Sequence, residues 1–250
     1  MKDSAQGTLT ILAGPSGVGK TPLKNAFAAF YPDTYAKMNS LVLFSSRAPR
    51  PGETEGSEYF FRSPEYLKKL RHDPKFKVIK VHNDYQAIDI THLSALLKKN
   101  DVFFEGNSVL GRLFQTTPDL KDFKTVSVFL SPLTGQEIVK LRVHGKRYFR
   151  ETFQKIIKHK LLDRLKKSGF RLDSHQMKDI ERRTADAYHE LKEAHYFDFI
   201  IPNHDGEDSD NWKGSLLPTG DAGRALDAFA SILAGKSHPI VEKWEENLVP

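Results

Sequence analysis

Short apolar runs alternate with stretches of helical spacing along much of this chain. Thr8–Ala13, TLTILA, is rich in β-branched residues and stops at a glycine-rich turn, as a buried strand does. Lys20–Phe30 follows with Leu23, Phe27 and Phe30 at helical spacing, which predicts strand, loop and helix in succession. Ser63 is placed to cap a short helix over Pro64–His72, Phe76–Val81 alternates as a strand, and Thr91–Lys99 reads as a helix capped by Thr91. DVFFE (Asp101–Glu105) and VSVFL (Val126–Leu130) have the unbroken apolar character of strands covered on both faces. A helix over Met177–His195 leads into FDFII (Phe197–Ile201) as a final strand, and another helix spans Asp221–Leu233. Strands alternating with helices in this way predict an α/β fold with a parallel sheet and helices on both its faces.

One segment breaks the rhythm. Lys140–Lys167 carries eleven Lys or Arg against two acids, with Phe149, Phe153, Ile156, Ile157, Leu161, Leu162 and Leu165 at helix-like spacing, and reads as a basic amphipathic segment. The whole chain of 250 residues has a net charge of +6, which favours anionic partners without choosing between phosphorylated small molecules and nucleic acid. No apolar run approaches the roughly 20 residues of a membrane helix, and the amino-terminal stretch lacks the apolar core of a signal peptide. Membrane is therefore excluded as an expected partner. With no cysteine there are no disulfides or thiolate ligands, and the cytoplasm is the expected compartment. The ten histidines are scattered without metal-ligand spacing.

The chemistry is concentrated in GPSGVGKT, Gly14–Thr21, which fits G-x-x-x-x-G-K-[ST] and lies between the first expected strand and helix. Glycines at Gly14, Gly17 and Gly19, with Pro15, Ser16 and Val18 between them, let successive backbone N–H groups turn toward one anion. The helix start adds positive dipole, Lys20 faces the β and γ oxygens, and Thr21 offers its hydroxyl to Mg²⁺. Pro22 removes one N–H from the first turn, at an expected cost to phosphate affinity of about 1.5–3 kcal/mol, one hydrogen bond to a charged group.

A second candidate anion site lies in SSRAPRPGETEGSEYFF, Ser45–Phe61, where Arg47 and Arg50 are three apart in a turn-rich stretch and Tyr59 follows. Two guanidinium groups in a non-helical loop can converge on one phosphate, and a tyrosine hydroxyl can complete the cradle.

Taken with the loop, this stretch resembles the guanylate kinase family, whose second motif runs T-x-R-x-P-R-x-G-E-x-x-G-x-D-Y-x-F. IERRTADAYHEL (Ile180–Leu191) and FDFIIPNHD (Phe197–Asp205) are similar to that family's later segments. The resemblance implies an ATP site at Gly14–Thr21 with Asn203 beside the adenine, and an acceptor-phosphate site at Arg47, Arg50 and Tyr59, joined by Tyr85. It implies Arg183 reaching the transferred phosphoryl group, so that Lys20, Arg47, Arg50 and Arg183 form the catalytic electrostatic set. It also implies ATP and Mg²⁺ as cofactors and GMP or a similar phosphorylated small molecule as acceptor, in a monomer or homodimer, with nucleic acid not the expected partner. The expected organisation is one domain: a core of 8–42, 98–140 and 180–235, an acceptor-binding subdomain 43–97, a helical insertion 141–179 and a tail 236–250.

Where the family shows D-x-D-x-Q-G, this chain has EGNSVL, Glu105–Leu110. Glu105 keeps a carboxylate for the Mg²⁺ shell or the acceptor, whereas Asn107 replaces one that helps to read guanine. Leu43 stands in place of a guanine-contacting serine, and no glutamate precedes Tyr85 in the base-reading position. The phosphate grip is thus expected intact and the base-reading set altered, which leaves a non-guanine nucleotide or a sugar phosphate as the alternative acceptor. A non-catalytic binding module is a third reading, opposed by the intact Lys20 and Thr21. The insertion is about twenty residues longer than the family's. It is expected either to pack as a helical hairpin on the domain or a second subunit, or to bring Arg142, Lys146, Arg147 and Arg150 over the donor phosphates with the remainder contacting an extended acceptor or nucleic acid.

Overall fold

The computed structural model describes residues 6–49, 53–81, 83–167, 173–214 and 216–250. Five strands form one sheet in the order β2-β7-β1-β8-β9, made of β1 (Leu9–Ala13), β2 (Met38–Ser40), β7 (Asp101–Gly106), β8 (Thr125–Ser131) and β9 (Phe199–Pro202). β2 pairs with β7 and β8 with β9 in parallel register, as the apolar runs predict. Four more strands form a separate sheet in the order β4-β3-β6-β5, from β3 (Leu43–Ser45), β4 (Tyr59–Phe61), β5 (Phe76–Val81) and β6 (Asp84–Asp89). This second sheet is mixed: β3 runs parallel to β4, while β6 runs antiparallel to both β3 and β5.

The chain divides into two compact units. One takes in Lys37–Phe104, Phe114–Thr125 and the chain before Ile11; the other takes in Ile11–Ala36, Glu105–Leu113 and Val126–Pro250. The first holds the mixed sheet with α3 (Pro64–Leu70) and α4 (Ile90–Leu97). Ser63 caps α3 by accepting from the Tyr66 N–H at 3.2 Å, as its position predicts. The cap of α4 is Asp89, which accepts from the His92 N–H at 2.8 Å, and not Thr91. Asp89 ends β6 in extended geometry with its carboxylate already aimed along the new axis, so the helix starts a residue before the expected cap.

In the second unit α1 (Lys20–Phe30) follows the phosphate loop, and Phe27 meets Phe229 of α9 (Gly220–Leu233) edge to face at 5.1 Å. Between them in sequence lie α2 (Pro32–Tyr35) and α5 (Ser108–Thr116), then α6 (Gly135–Arg142), α7 (Lys146–Lys167) and α8 (Ser174–Lys192). The basic amphipathic segment folds as two helices, α6 and α7. Gly145 at φ 91° stops α6 and turns the chain into α7, a backbone state that side chains rarely adopt. Phe149, Phe153, Ile157 and Leu161 of α7 are buried, and Phe149 meets Tyr188 of α8 at 6.3 Å, so the apolar stripe packs as a helical hairpin within this unit. The last strand begins at Phe199 because a 3-10 turn, Glu193–Tyr196, follows α8.

The tail also packs in the second unit. Glu242 exchanges backbone hydrogen bonds with Ile200 of β9 at 2.8 and 2.9 Å, and its carboxylate accepts from the Gly135 N–H at the start of α6 at 2.8 Å. Trp244 and Val249 are buried, 4% and 7% exposed.

Candidate active site

The phosphate loop is built as its glycines require. Gly14 sits at φ 146°, and a Cβ there would come within 2.4 Å of the Leu130 carbonyl oxygen. Gly19, at φ 96°, begins α1, and a Cβ on it would meet Asn203 Nδ2 at 2.9 Å and Trp212 Cζ2 at 3.0 Å. Neither position accepts a side chain without moving backbone or a packed neighbour.

Lys20 is 8% exposed, and its Nζ donates to the carbonyl oxygens of Gly14 at 2.9 Å and Pro15 at 2.8 Å. Burial pulls the Lys20 ammonium below the ordinary lysine value, against the carboxylates of Glu207, Glu190 and Glu105, which raise it. Thr21 is exposed and its Oγ1 donates to Glu105 Oε1 at 2.6 Å, while Glu105 Oε2 lies 3.1 Å from Lys24 Nζ. The end of β7 thus delivers a carboxylate to the first turn of α1.

Glu190 is a site residue the sequence reading missed. It lies on α8 two turns after Arg183, 5% exposed, and its Oε1 accepts from Asn107 Nδ2 at 2.7 Å. Burial raises its pKa to about 7; Lys20 and Arg183 pull it down, Asp186 pushes it up and the Asn107 hydrogen bond lowers it. A glutamate in a polar helix gives no signal in sequence, because the groups that define its role come from other elements. Arg183 lies 3.6 Å from Asp179 and contributes its charge to Lys20 and Glu190. Asn107, expected at the acceptor base, has both ends of its amide engaged: Nδ2 with Glu190, and Oδ1 with the Val109 N–H at 2.8 Å, where it caps α5.

Asn203, expected beside the adenine, is fully buried and braces the loop. Its Nδ2 donates to the Val18 carbonyl at 2.8 Å and the Asp205 carbonyl at 2.7 Å. The segment after it lies along the loop, with the Glu207 N–H donating to the Gly17 carbonyl at 3.3 Å. Helix α7 reaches the same place. Leu161 Cδ2 and Lys160 Cβ would stand 3.3 and 3.5 Å from a Cβ on Gly17. Lys160 hydrogen-bonds the His204 carbonyl, Arg164 pairs with Glu207, and Lys167 donates to the Asp208 carbonyl at 2.9 Å and Asp210 at 3.1 Å. These residues share one helix face. Burial lowers the Lys160 pKa, opposed by Asp205, Asp208 and Asp163. The cations expected over the donor phosphates are otherwise occupied: Arg142 binds the Asn247 and Leu248 carbonyls at 3.2 and 3.4 Å, Arg147 pairs with Glu151 at 2.8 Å, and Arg150 lies 5.6 Å over the Tyr188 ring. Lys146 is exposed.

In the first unit Arg47 forms the expected basic centre. Its two terminal nitrogens each donate to Glu53 at 2.6 Å, and its guanidinium lies 4.8 Å over Tyr59 and 5.5 Å over Phe61. Burial works against the charge, but the Glu53 hydrogen bond and carboxylate charge, with smaller help from Tyr59 and Asp84, hold Arg47 above the ordinary arginine value. Arg50 lies outside the described residues. Tyr85 is not brought to Arg47: its ring sits against α3 and the residue after it, 5.3 Å from Lys68 Nζ and 5.0 Å from the Arg71 guanidinium. Strand register explains this, because Ser45 pairs with Gln86 and Phe61 while Leu43 pairs with Tyr59, so Tyr85 falls on the opposite face of the sheet.

A five-stranded sheet with a phosphate loop leading from β1 into α1 defines a P-loop α/β protein. The family model described as Guanylate kinase matches residues 6–102. A guanylate kinase of Wolinella succinogenes is 25% identical over 93% of this chain and 93% of its own length, and one of Aster yellows witches'-broom phytoplasma is 28% identical over 81% and 82%. The crystal structure of guanylate kinase from Anaplasma phagocytophilum shares the fold, with a TM-score of 0.54 and 15% identity over 92% of this chain and 86% of that one. The chain is thus similar to guanylate kinases over most of its length, with the family model matching its amino-terminal part.

Proposed function

We propose that this chain is an ATP-dependent nucleoside monophosphate kinase that transfers the γ-phosphoryl group of ATP to GMP, giving ADP and GDP. The observation that carries the reading is the complete phosphate loop, with Lys20 buried in its own cradle and Thr21 exposed at the head of α1. Phosphoryl transfer asks little covalent help of a protein: two anions held in line, their repulsion cancelled, and water kept out. The loop amides and Lys20 bind the donor phosphates, trading the Gly14 and Pro15 carbonyls for phosphate oxygens. Arg47, oriented by Glu53, and Tyr59 hold the acceptor phosphate, with Arg50 as its expected partner. Arg183 supplies charge to the group in transit. No general base is needed, since the acceptor phosphate oxygen is already ionised.

The donors at Thr21 and Glu105 are both oxygen, exposed or half-buried and 2.6 Å apart, the hard set that suits Mg²⁺. Thr21 would ligate the ion and Glu105 would order its water shell, and an ion held there would supply positive charge to the phosphates. The curated relatives favour GMP over the alternative acceptors. The altered positions, with Leu43 3% exposed and Asn107 turned to Glu190, bear on how the base is read. The intact Lys20 and Thr21 argue against a binding-only module.

The test is ADP release from Mg-ATP in the presence of GMP, dGMP, AMP, UMP or CMP. Turnover highest with GMP, and lost by a factor of about 10² or more in Lys20→Ala, is expected. Turnover with none of them, or full turnover by Lys20→Ala, overturns the reading.

A further inference from the structure

Gln86 lies in the middle of the mixed sheet, 7% exposed, and its carboxamide oxygen Oε1 is buried with no hydrogen-bond partner among the described residues. A buried acceptor left unmade costs stability, so it calls for a donor from outside the chain, a water or a ligand. The strand register says where this group is. Ser45 pairs with Gln86 on one side and Phe61 on the other, and Leu43 pairs with Tyr59, so Gln86 shares a face with Leu43, Ser45, Tyr59 and Phe61. Arg47 follows two residues after Ser45, with its guanidinium over the Tyr59 and Phe61 rings of that same face. Tyr85 takes the other face, with Lys68 and Arg71. The Gln86 carboxamide therefore shares its face of the sheet with the Arg47–Glu53 ion pair and with the side chains of Leu43, Ser45, Tyr59 and Phe61.

We propose that Gln86 is the β6 residue that contacts the acceptor nucleotide, its carboxamide oxygen accepting a hydrogen bond from the nucleoside part while Arg47 holds the phosphate. This inference rests on the monophosphate-kinase reading and deepens it. A phosphate dianion offers only acceptors, so it cannot satisfy Oε1; a ribose hydroxyl or a base N–H can. A short polar contact of this kind discriminates strongly, because a ligand that lacks the donor leaves the buried oxygen unpaired. Gln86 thus acts as a specificity residue on the face where Leu43 offers no hydrogen bond.

The experiment measures GMP binding by calorimetry and steady-state kinetics for the wild type, Gln86→Leu and Tyr85→Phe. Gln86→Leu is expected to raise the GMP Kd and KM by about 10-fold, the worth of one hydrogen bond, with the KM for ATP unchanged. Its Tm is expected to hold or rise, because an unpartnered polar group leaves the interior. Tyr85→Phe is expected to bind GMP as the wild type does. dGMP and IMP separate the two donors: the analogue that lacks the contacted hydroxyl or amino group binds wild type and Gln86→Leu equally. GMP affinity unchanged in Gln86→Leu, or a fall in affinity matched by a fall in Tm, overturns the proposal. If GMP is not phosphorylated but AMP, CMP or UMP binds in a Gln86-dependent way, the GMP reading fails and the role of Gln86 stands. Binding of none of the four overturns both.

Discussion

Thr21 Oγ1 donates to Glu105 Oε1 at 2.6 Å, which ties the first turn of α1 to the carboxyl end of β7. On the proposed reading Thr21 would ligate Mg²⁺ and Glu105 would order its water shell. Glu105→Gln keeps the shape and removes the charge. The expected outcome is a rise of about 10-fold in the Mg²⁺ concentration for half-maximal activity, the usual effect of an outer-sphere carboxylate. A Mg²⁺ titration at fixed ATP checks it, and an unchanged midpoint would show that Glu105 does not order the ion.

Glu190 gives a pH dependence with a defined sign. Its folded pKa of about 7 lies above the ordinary carboxylate value of 4.5, so the folded state holds the proton more tightly than the unfolded one. Its contribution is fully present below the unfolded value and is lost as pH rises through the folded one. Relative to Glu190→Gln, which keeps the Asn107 contact and cannot ionise, the wild type is expected to lose about 3 kcal/mol between pH 4.5 and pH 8. Urea titrations of both proteins across that range measure the difference. A gap that stays constant with pH would remove the buried carboxylic acid from the account.

Gly19 tests the brace behind the loop. Alanine there must hold a positive φ and press against Asn203 Nδ2 and Trp212 Cζ2. Gly19→Ala is expected to cost about 1–3 kcal/mol in stability and to abolish the thermal shift given by Mg-ATP. A variant with wild-type Tm and a normal Mg-ATP shift contradicts the packing described.

Arg47 is expected to be irreplaceable by lysine, since a single ammonium cannot hold Glu53 through two parallel bonds and still stack on Tyr59 and Phe61. Arg47→Lys should raise the acceptor KM by a factor of about 10 to 100 while the KM for ATP stays put. Equal changes in both constants would show a general disturbance.

Local pattern made much of this protein legible before its structure. The phosphate loop, α1, β5 and the cap at Ser63 follow from residues adjacent in sequence, and the apolar runs at β7 and β8 are self-evident as parallel strands. What pattern could not supply is register and distant company. Tyr85 and Gln86 are neighbours, and one step along a strand exchanges the faces of the sheet, so only the pairing with Ser45 decides which of them joins Arg47. Glu190 acquires its character from Lys20 and Asn107, which arrive from separate elements.

The carboxyl-terminal stretch adds an isolated bridge to β9, the outermost strand of its sheet. Ile200 would otherwise present its N–H and C=O to any neighbouring chain, an invitation to self-association that sheet proteins generally avoid. An affinity tag or fluorescent fusion is accordingly better joined to the opposite end of this polypeptide, and trimming before Glu242 for crystallisation would trade a tidy boundary for a sticky one.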